Sequence, residues 1–458
     1  MTYVFKTVYN TIRESDYIPV TALYSYLSTM GGRRMSKYMK AFKNESYLQS
    51  SVTMLLYFAS WGIWWSFFQL WLTAKSGLNL DGSAVGTIYS ANSLVTLVLM
   101  FFYGTLQDKL GIKRHLLIFS GVCAALVGPF FIYAYEPMLH TNFTMGLVVG
   151  SIFLSAGFLA TTGIYEALVE RFSRVFKFEY GQARAWGSFG YAVVALLAGH
   201  LFVINPDLNF WVGSIFGVLL LLNVCFWVPK DERLERVRSA QETEKTVPSV
   251  REMLSLLKMR DLWVVIVLIF FTWTFYTVFD QQMFPSFYAG LFSSVAQGQQ
   301  MYGNLNSIQV FVEAIMMGIV PVIMNKIGVR NTLLLGIAIM AIRIGLCGFI
   351  DNPVAISFVK MLHSFETPLF ILSIFRYFTL HFDTKLSATL YMIGFQVAAQ
   401  LGQVFLSTPL GMLRDNSGYA VTFHIITIIV IAAGIYAFFV IKKDNQDVNG
   451  EPLVSKAA

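Results

Sequence analysis

"YGTLQDKLGIKRHLL", residues 103–117, and "VPVIMNKIGVRNTLL", residues 320–334, are two versions of one segment. Asp108 stands where Asn325 stands, Lys109 aligns with Lys326, Gly111 with Gly328, and Leu116 and Leu117 with Leu333 and Leu334. The first copy follows the second long apolar run of the chain, and the other follows the eighth. Equivalent loops at equivalent places imply a duplicated chain, the arrangement in which internal repeats build a site at the bilayer midplane.

Composition places those repeats in a membrane. Of 458 residues, 56% are hydrophobic and only 13% are charged, about half the charged share of an ordinary soluble chain. Twelve apolar stretches are each long enough to cross ~30 Å of hydrocarbon as a helix of about 20 residues. They centre on Ile63, Val95, Ala125, Ile152, Ala195, Leu219, Phe270, Ala314, Ala338, Ile371, Val397 and Ile429. Few β-branched alternating segments lie between them, which favours helices over a barrel. The expected fold is an all-α membrane protein with twelve transmembrane helices in two pseudo-symmetric six-helix bundles. The longest polar interruption, "VPKDERLERVRSAQETEKTVPSVREMLSLLKMRD" (228–261), divides them. Expected boundaries are a tail at 1–49, a bundle at 50–228, a linker at 229–260, a second bundle at 261–442 and a tail at 443–458. The linker is charged, partly helical near Met253–Lys258, and read as a tether.

Charge sets the expected orientation. Of the 33 Lys and Arg, only Lys75 and Arg414 fall in the odd-numbered loops, and Arg184, Arg343 and Lys360 lie inside spans. All the others sit in the tails and even-numbered loops, so both termini are expected in the cytoplasm of a multi-pass cell-membrane protein. The net charge of +7 is this bias, and no nucleic-acid partner is read from it. Cys123, Cys225 and Cys347 fall on spans, so no disulfide framework is expected. The first 45 residues lack an apolar core with a cleavage site, so no cleaved signal peptide is indicated. "GGRRMSKYMKAFKNE" (31–45) is read as a loose basic tail, with docking on the inner leaflet as the alternative.

Ionisable residues inside spans carry the functional signal, because each costs about 2.5–3.5 kcal/mol even on a lenient scale. They are Glu166, Arg184, Asp280, Glu313, Arg343, Lys360, His363 and Glu366. The near balance of acids and bases suggests pairs between helices around one cavity. In "KMLHSFETP" (360–368), steps of three residues put Lys360, His363 and Glu366 within a sector of roughly 120°. That face must look into the bundle. A carboxylate in an apolar pocket holds its proton more tightly, and a nearby cation opposes this. Motion of Glu366 relative to Arg343 could therefore load and release a proton. Static ion pairs that hold helices together are the plainer reading, above all for Asp280 and Lys360.

"GxxxDxxGxK", formed by Gly104, Asp108, Gly111 and Lys113, resembles the loop signature of the major facilitator superfamily, where it steadies the outward-facing state. Further stretches resemble one group of that superfamily, the oligosaccharide:proton symporters or lactose-permease group. They are "FEYGQARAWGSFGYA" (178–192), "VFDQQMFPSFYAGLF" (278–292), "YGNLNSIQVFVEA" (302–314), "KMLHSFETP" and "LSTPLG" (406–411). The similarity spans about residues 50 to 440 and is nearest to the sucrose permeases.

The resemblance implies roles. Glu166 matches an acid that hydrogen-bonds sugar hydroxyls, although sucrose permeases carry Asp there. Arg184 matches its paired arginine. His363 links sugar binding to protonation, Glu366 carries the proton, Arg343 helps release it, and Tyr276 stands near that relay. Asp280 and Lys360 match a structural charge pair. Tyr191 holds the place of an aromatic that stacks on sugar, a Trp in lactose permease. Thr277 and Ala399 replace a second charge pair of that relative. Ungapped threading puts the family's span-eight glutamate at Val310, so Glu313 lies one turn later. Asn306, Gln309 and Gln400 could bond sugar or simply bridge helices. In span one, Trp61, Trp64, Trp65 and Trp71 cannot all face sugar, and some are read as interface anchors.

The expected function is proton-coupled import of a disaccharide, sucrose first, by alternating access. Sugars offer hydroxyls to acids, Arg and amides, and apolar faces to aromatics. Lactose, melibiose, maltose, raffinose or short fructans are the alternatives within transport, and a non-transporting sugar sensor is the alternative outside it. No HExxH, Cys-His pair or phosphate-binding Gly loop is present, so no enzyme is expected. No cofactor or metal is expected beyond the coupling proton, and the expected partners are sugar, proton and bilayer, with the monomer as the working unit.

Overall fold

The computed structural model describes residues 42–110, 113–232, 256–383, 390–450 and 452. Most of the expected linker and nearly all of the amino-terminal tail lie outside the described residues, as does Gly111. Gly104 and Asp108 lie within a helix, and Lys113 is exposed just beyond it.

Helices account for the architecture. We label them α1 (Glu45–Thr73), α2 (Gly82–Leu110), α3 (His115–Ala125 continuing as Val127–Thr141), α4 (Phe143–Val175), α5 (Tyr180–Ile204) and α6 (Asp207–Phe226). The carboxy-terminal half holds α7 (Arg260–Gly290), α8 (Val295–Ile327), α9 (Val329–Phe349), α10 (Pro353–His381) and α11 (Met392–Val440). Their starts follow from local chemistry. The Asn44 side chain accepts from Tyr47 N at 3.1 Å, and Asn142 does the same for Met145 N. Asn352 accepts from the amides of Val354 and Ala355, with Pro353 at the first helical position. Each side chain satisfies donors that a helix start leaves free.

Among the described residues, α2 and α4–α11 are long and apolar enough to cross a membrane, and α3, bent by 55°, makes a tenth candidate. The two further spans of the expected twelve would be α1, 29 residues long, and a second arm of α11. The helix Ala398–Val440 has 43 residues and would reach about 65 Å if straight, twice a bilayer core. It does not run straight. Gly418 adopts φ 76°, a conformation glycine accepts without strain, and breaks the helix. Gly394 packs against Leu262, and the Tyr436 hydroxyl donates to Val264 O at 3.4 Å. Both arms therefore return to the start of α7.

The chain's last described residues lie at one end of the bundle, where α7 and α9 begin. There Asp444 accepts from the amides of Val329 and Arg330 at 2.9 and 3.2 Å. Lys442 bonds Asp261 at 2.7 Å and Asp447 at 2.9 Å. Burial alone would lower the Lys442 pKa, but those two carboxylates hold it above the usual lysine range. In the amino-terminal half, the buried Arg114 pairs with the buried Glu232.

The halves meet along α5 with α8 and α2 with α11. A Cβ on Gly303 would lie 2.8 Å from Gly199 Cα, so these two glycines let α5 and α8 cross closely. Among the described residues, hydrogen bonds join the halves both at the opposite end and at mid-span. Asp415 accepts from Gly82 N and Ser83 N, both at 2.8 Å, and Ser307 donates to Ala192 O at 2.7 Å.

Candidate functional site

Between the halves lies a cavity of about 250 Å³. α1 contributes Trp65, Ser66 and Gln69, α2 contributes Tyr89, and α5 contributes Tyr191. The opposite wall is polar: Asp280 and Tyr276 from α7, Asn306, Gln309 and Glu313 from α8, and His363 and Thr367 from α10. One wall thus offers mainly aromatic faces, and the other sets carboxylates, amides and an imidazole among the rings of Trp273, Tyr276 and Tyr302. Such a cavity satisfies a ligand with many hydroxyls and apolar CH faces.

Behind the polar wall is a charge network in which Arg343 is wholly buried. Its Nη1 donates to Glu366 Oε1 at 2.6 Å, and its Nη2 donates to Asp280. The rings of Tyr276, Phe279 and Phe284 surround its guanidinium at 5.6, 5.1 and 5.3 Å. Aromatic faces stabilise a cation that water does not reach. Glu366 is also fully buried, and no donor among the described residues meets its second oxygen in hydrogen-bonding geometry.

Asp280 is shared more widely than a pair with Lys360 would be. Its Oδ1 accepts from Lys360 Nζ at 2.9 Å and from Arg343, and lies 3.3 Å from His363 Nδ1. The Tyr276 hydroxyl contacts His363 Nδ1 and lies 3.1 Å from Thr367 Oγ1. On its other side, His363 Nε2 lies 3.7 Å from Glu313 Oε2. Gln309 Nε2 donates to that same oxygen at 2.8 Å. The imidazole therefore spans from the buried ion network to the cavity.

Glu166 and Arg184 form a second centre. Arg184 Nε donates to Glu166 Oε1 at 2.8 Å, and the guanidinium lies 4.2 Å over the Phe58 ring. These side chains keep 28% and 35% exposure for Arg184 and Glu166, so the pair is open to a solute. They do not line the cavity, and neither do Arg343, Lys360, Glu366 or the half-buried Gln400. Tyr191, Gln309, Glu313, His363, Tyr276 and Asp280 do line it.

Sequence reasoning did not single out Gln69, Tyr89, Trp273 and Tyr302, which also line the cavity. The tryptophan run in α1 carried part of the signal. Trp64 and Trp71 are buried against Phe131, whereas Trp65 faces the cavity and stacks on Phe68 at 5.3 Å.

Known proteins share this chain's features. A family model described as the LacY proton/sugar symporter matches residues 39–451. The chain is 44% identical over 416 residues to a sucrose permease of Escherichia coli, covering 90% of this chain and 98% of that protein. It is 34% identical to a raffinose permease of Escherichia coli, covering 91% and 96%, and 35% identical to a lactose permease of Klebsiella oxytoca, covering 82% and 90%. Among solved structures, the nucleoside transporter NupG superposes with a TM-score of 0.71 at 13% identity, covering 87% of this chain and 99% of that one. A D-xylose-proton symporter superposes with a TM-score of 0.63 at 14% identity, covering 87% and 98%. These two share the fold, that of membrane transporters.

Proposed function

Because the chain belongs to the LacY proton/sugar symporter family, a family of carriers and not of enzymes, we propose that it imports a disaccharide together with protons and that sucrose is the sugar. The observation that carries this reading is the arrangement around His363. One ring nitrogen faces the Arg343, Asp280 and Tyr276 network, and the other faces Glu313 at the cavity wall. A sugar hydroxyl that enters between Glu313, Gln309 and His363 would alter the hydrogen bonds of the imidazole. Arg343 would then shift between its two carboxylates, and Glu366 would gain or lose its cation. The same arrangement gives a route for coupling sugar occupancy to the proton.

Roles follow from position for the residues that line the cavity and from the family resemblance for the others. Glu166 and Arg184 would bind sugar hydroxyls with directional, charge-assisted bonds, and Tyr191 and Trp65 would cover its apolar faces. Glu366 would carry the proton. Asp280 and Lys360 would keep the buried charges paired. The high sucrose-permease identity favours sucrose over lactose, melibiose, maltose, raffinose or fructans. The charge bias of the loops supports cytoplasmic termini in the inner membrane, and a monomer contains every residue of the site. The bundle limits expected at 50–228 and 261–442 and the twelve-span count belong to this proposal.

Proton flux over a sugar panel tests it. In energised cells, sucrose should alkalinise the medium as protons enter. No sucrose-driven pH change removes the sucrose assignment, and failure across the disaccharide panel removes symport.

A further inference from the structure

The cavity ends at a bond between the two halves. Along α1, Trp65 and Ser66 form wall and Gln69 follows one turn later. Along α7, Tyr276, Thr277 and Asp280 form wall, then Gln281 and Pro285. Next to Pro285 stands Ser286, whose hydroxyl accepts from Gln69 Nε2 at 2.8 Å and reaches Gln69 Oε1 at 3.0 Å. Thr73, a further turn along α1, lies 2.6 Å from the same hydroxyl. Gln69 is only 2% exposed. Its carboxamide thus lies across the end of the cavity away from the termini, held from both sides.

Resting on the sugar-carrier reading, we infer that Gln69 and Ser286 form a length filter that sets how many sugar rings the cavity admits. A ligand that places a further ring toward this end runs into the Gln69 amide. Displacing that amide breaks both contacts with Ser286 and leaves the buried carboxamide only its 3.5 Å contact with Thr73 Oγ1, which discriminates against a misfit ligand. Because the filter joins α1 to α7, it also ties ligand length to closure of the halves. A disaccharide lets the contact form, and a longer sugar holds it open.

The test compares uptake of radiolabelled sucrose and of raffinose, which adds one ring to sucrose, in cells expressing the full chain. Wild type, Gln69→Ala and Ser286→Ala are measured side by side at matched expression. The raffinose-to-sucrose ratio is expected to rise by about tenfold or more in Gln69→Ala, the order by which pocket contacts discriminate, and by less in Ser286→Ala. A ratio unchanged in both variants overturns the filter, as does a wild type that takes up both sugars equally. Loss of both sugars in both variants also overturns it, because the pair would then be part of the seal and not a filter. A wild type that moves no sugar of the panel fails the carrier reading instead, and that result is separate from all of these.

Discussion

Arg343 Nη1 and Glu366 Oε1 lie 2.6 Å apart, and neither side chain is exposed to solvent. A buried carboxylate with one cation partner and one unbonded oxygen can accept a proton there if the cation withdraws. Glu366→Gln fixes the neutral form. The variant is expected to abolish accumulation of sugar against a gradient while exchange of internal for external sugar continues. Uptake and counterflow in membrane vesicles distinguish the two, and a variant that still accumulates sugar moves the proton role elsewhere.

Asp280 serves Arg343, Lys360 and the His363 ring, so its loss should be worse than the loss of any one of them. Asp280→Asn leaves Lys360, which is 1% exposed, without its carboxylate. Breaking a buried pair on one side costs about 3–5 kcal/mol. Asp280→Asn is therefore expected to lower the melting temperature in detergent by several degrees, and adding Lys360→Met should restore part of the loss. Equal stability of Asp280→Asn and wild type would deny Asp280 this central place.

Much of this network was legible in the sequence, because charges inside apolar runs are costly enough to stand out by spacing alone. Lys360, His363 and Glu366 share a face of α10, and His363 and Glu366 do converge on Arg343. The three-way sharing of Asp280 was not legible. It sits in a π-helical turn, Val278–Met283, which inserts a residue into the helical repeat and rotates the face that simple spacing predicts. The aromatic wall was hidden for a different reason: four tryptophans within eleven residues of α1 give no unique apolar face, and only packing against Phe131 separates Trp64 and Trp71 from Trp65. Gln69 was missed, unlike the amides Asn306, Gln309 and Gln400, because it stands inside the aromatic run of α1, where the tryptophans drew the reading.

Arg184 lies over Phe58 with its guanidinium shared between Glu166 and Ser188, at 2.8 and 3.3 Å. Hydrogen bonds to a charged group are worth about 1.5–3 kcal/mol each, so Arg184→Ala is expected to weaken sugar binding by about tenfold or more. Titration calorimetry on purified protein measures it. Unchanged affinity would remove Arg184 from the sugar site.

Tyr191 owes its position to a missing side chain. A Cβ at Gly62 would come within 2.6 Å of the Tyr191 ring, so the ring must move toward the cavity if α1 holds its place. Gly62→Ala is expected to raise KM for sugar several-fold, of the order that pocket misfits produce, and to lower maximal uptake less. An unchanged KM would show that the ring has room to give way on another side.

At the end of the bundle away from the termini, Asp415 bonds Gly82 N and Ser83 N across the halves, while Arg414 bonds it from its own helix at 2.6 Å. The carboxylate thus caps the start of α2 and holds α11 against it. Loss of such a cap costs about 0.5–2 kcal/mol, and that free energy would be removed from the closed arrangement alone if the bonds break when the halves separate. Thr87, one turn into α2, lies 3.4 Å from Thr408 of α11 and so reports on that separation. In a Thr87→Cys background, Asp415→Ala is expected to speed labelling by an impermeant maleimide added outside the cell by roughly fivefold or more, the factor equivalent to ~1 kcal/mol. Faster labelling of the same cysteine on addition of sucrose to the Asp415 wild type would show that the ligand and the carboxylate act on one equilibrium. If Asp415→Ala labels at the parent rate, the carboxylate caps α2 without holding the halves together, and the close α5–α8 crossing at Gly199 and Gly303 becomes the element to test next.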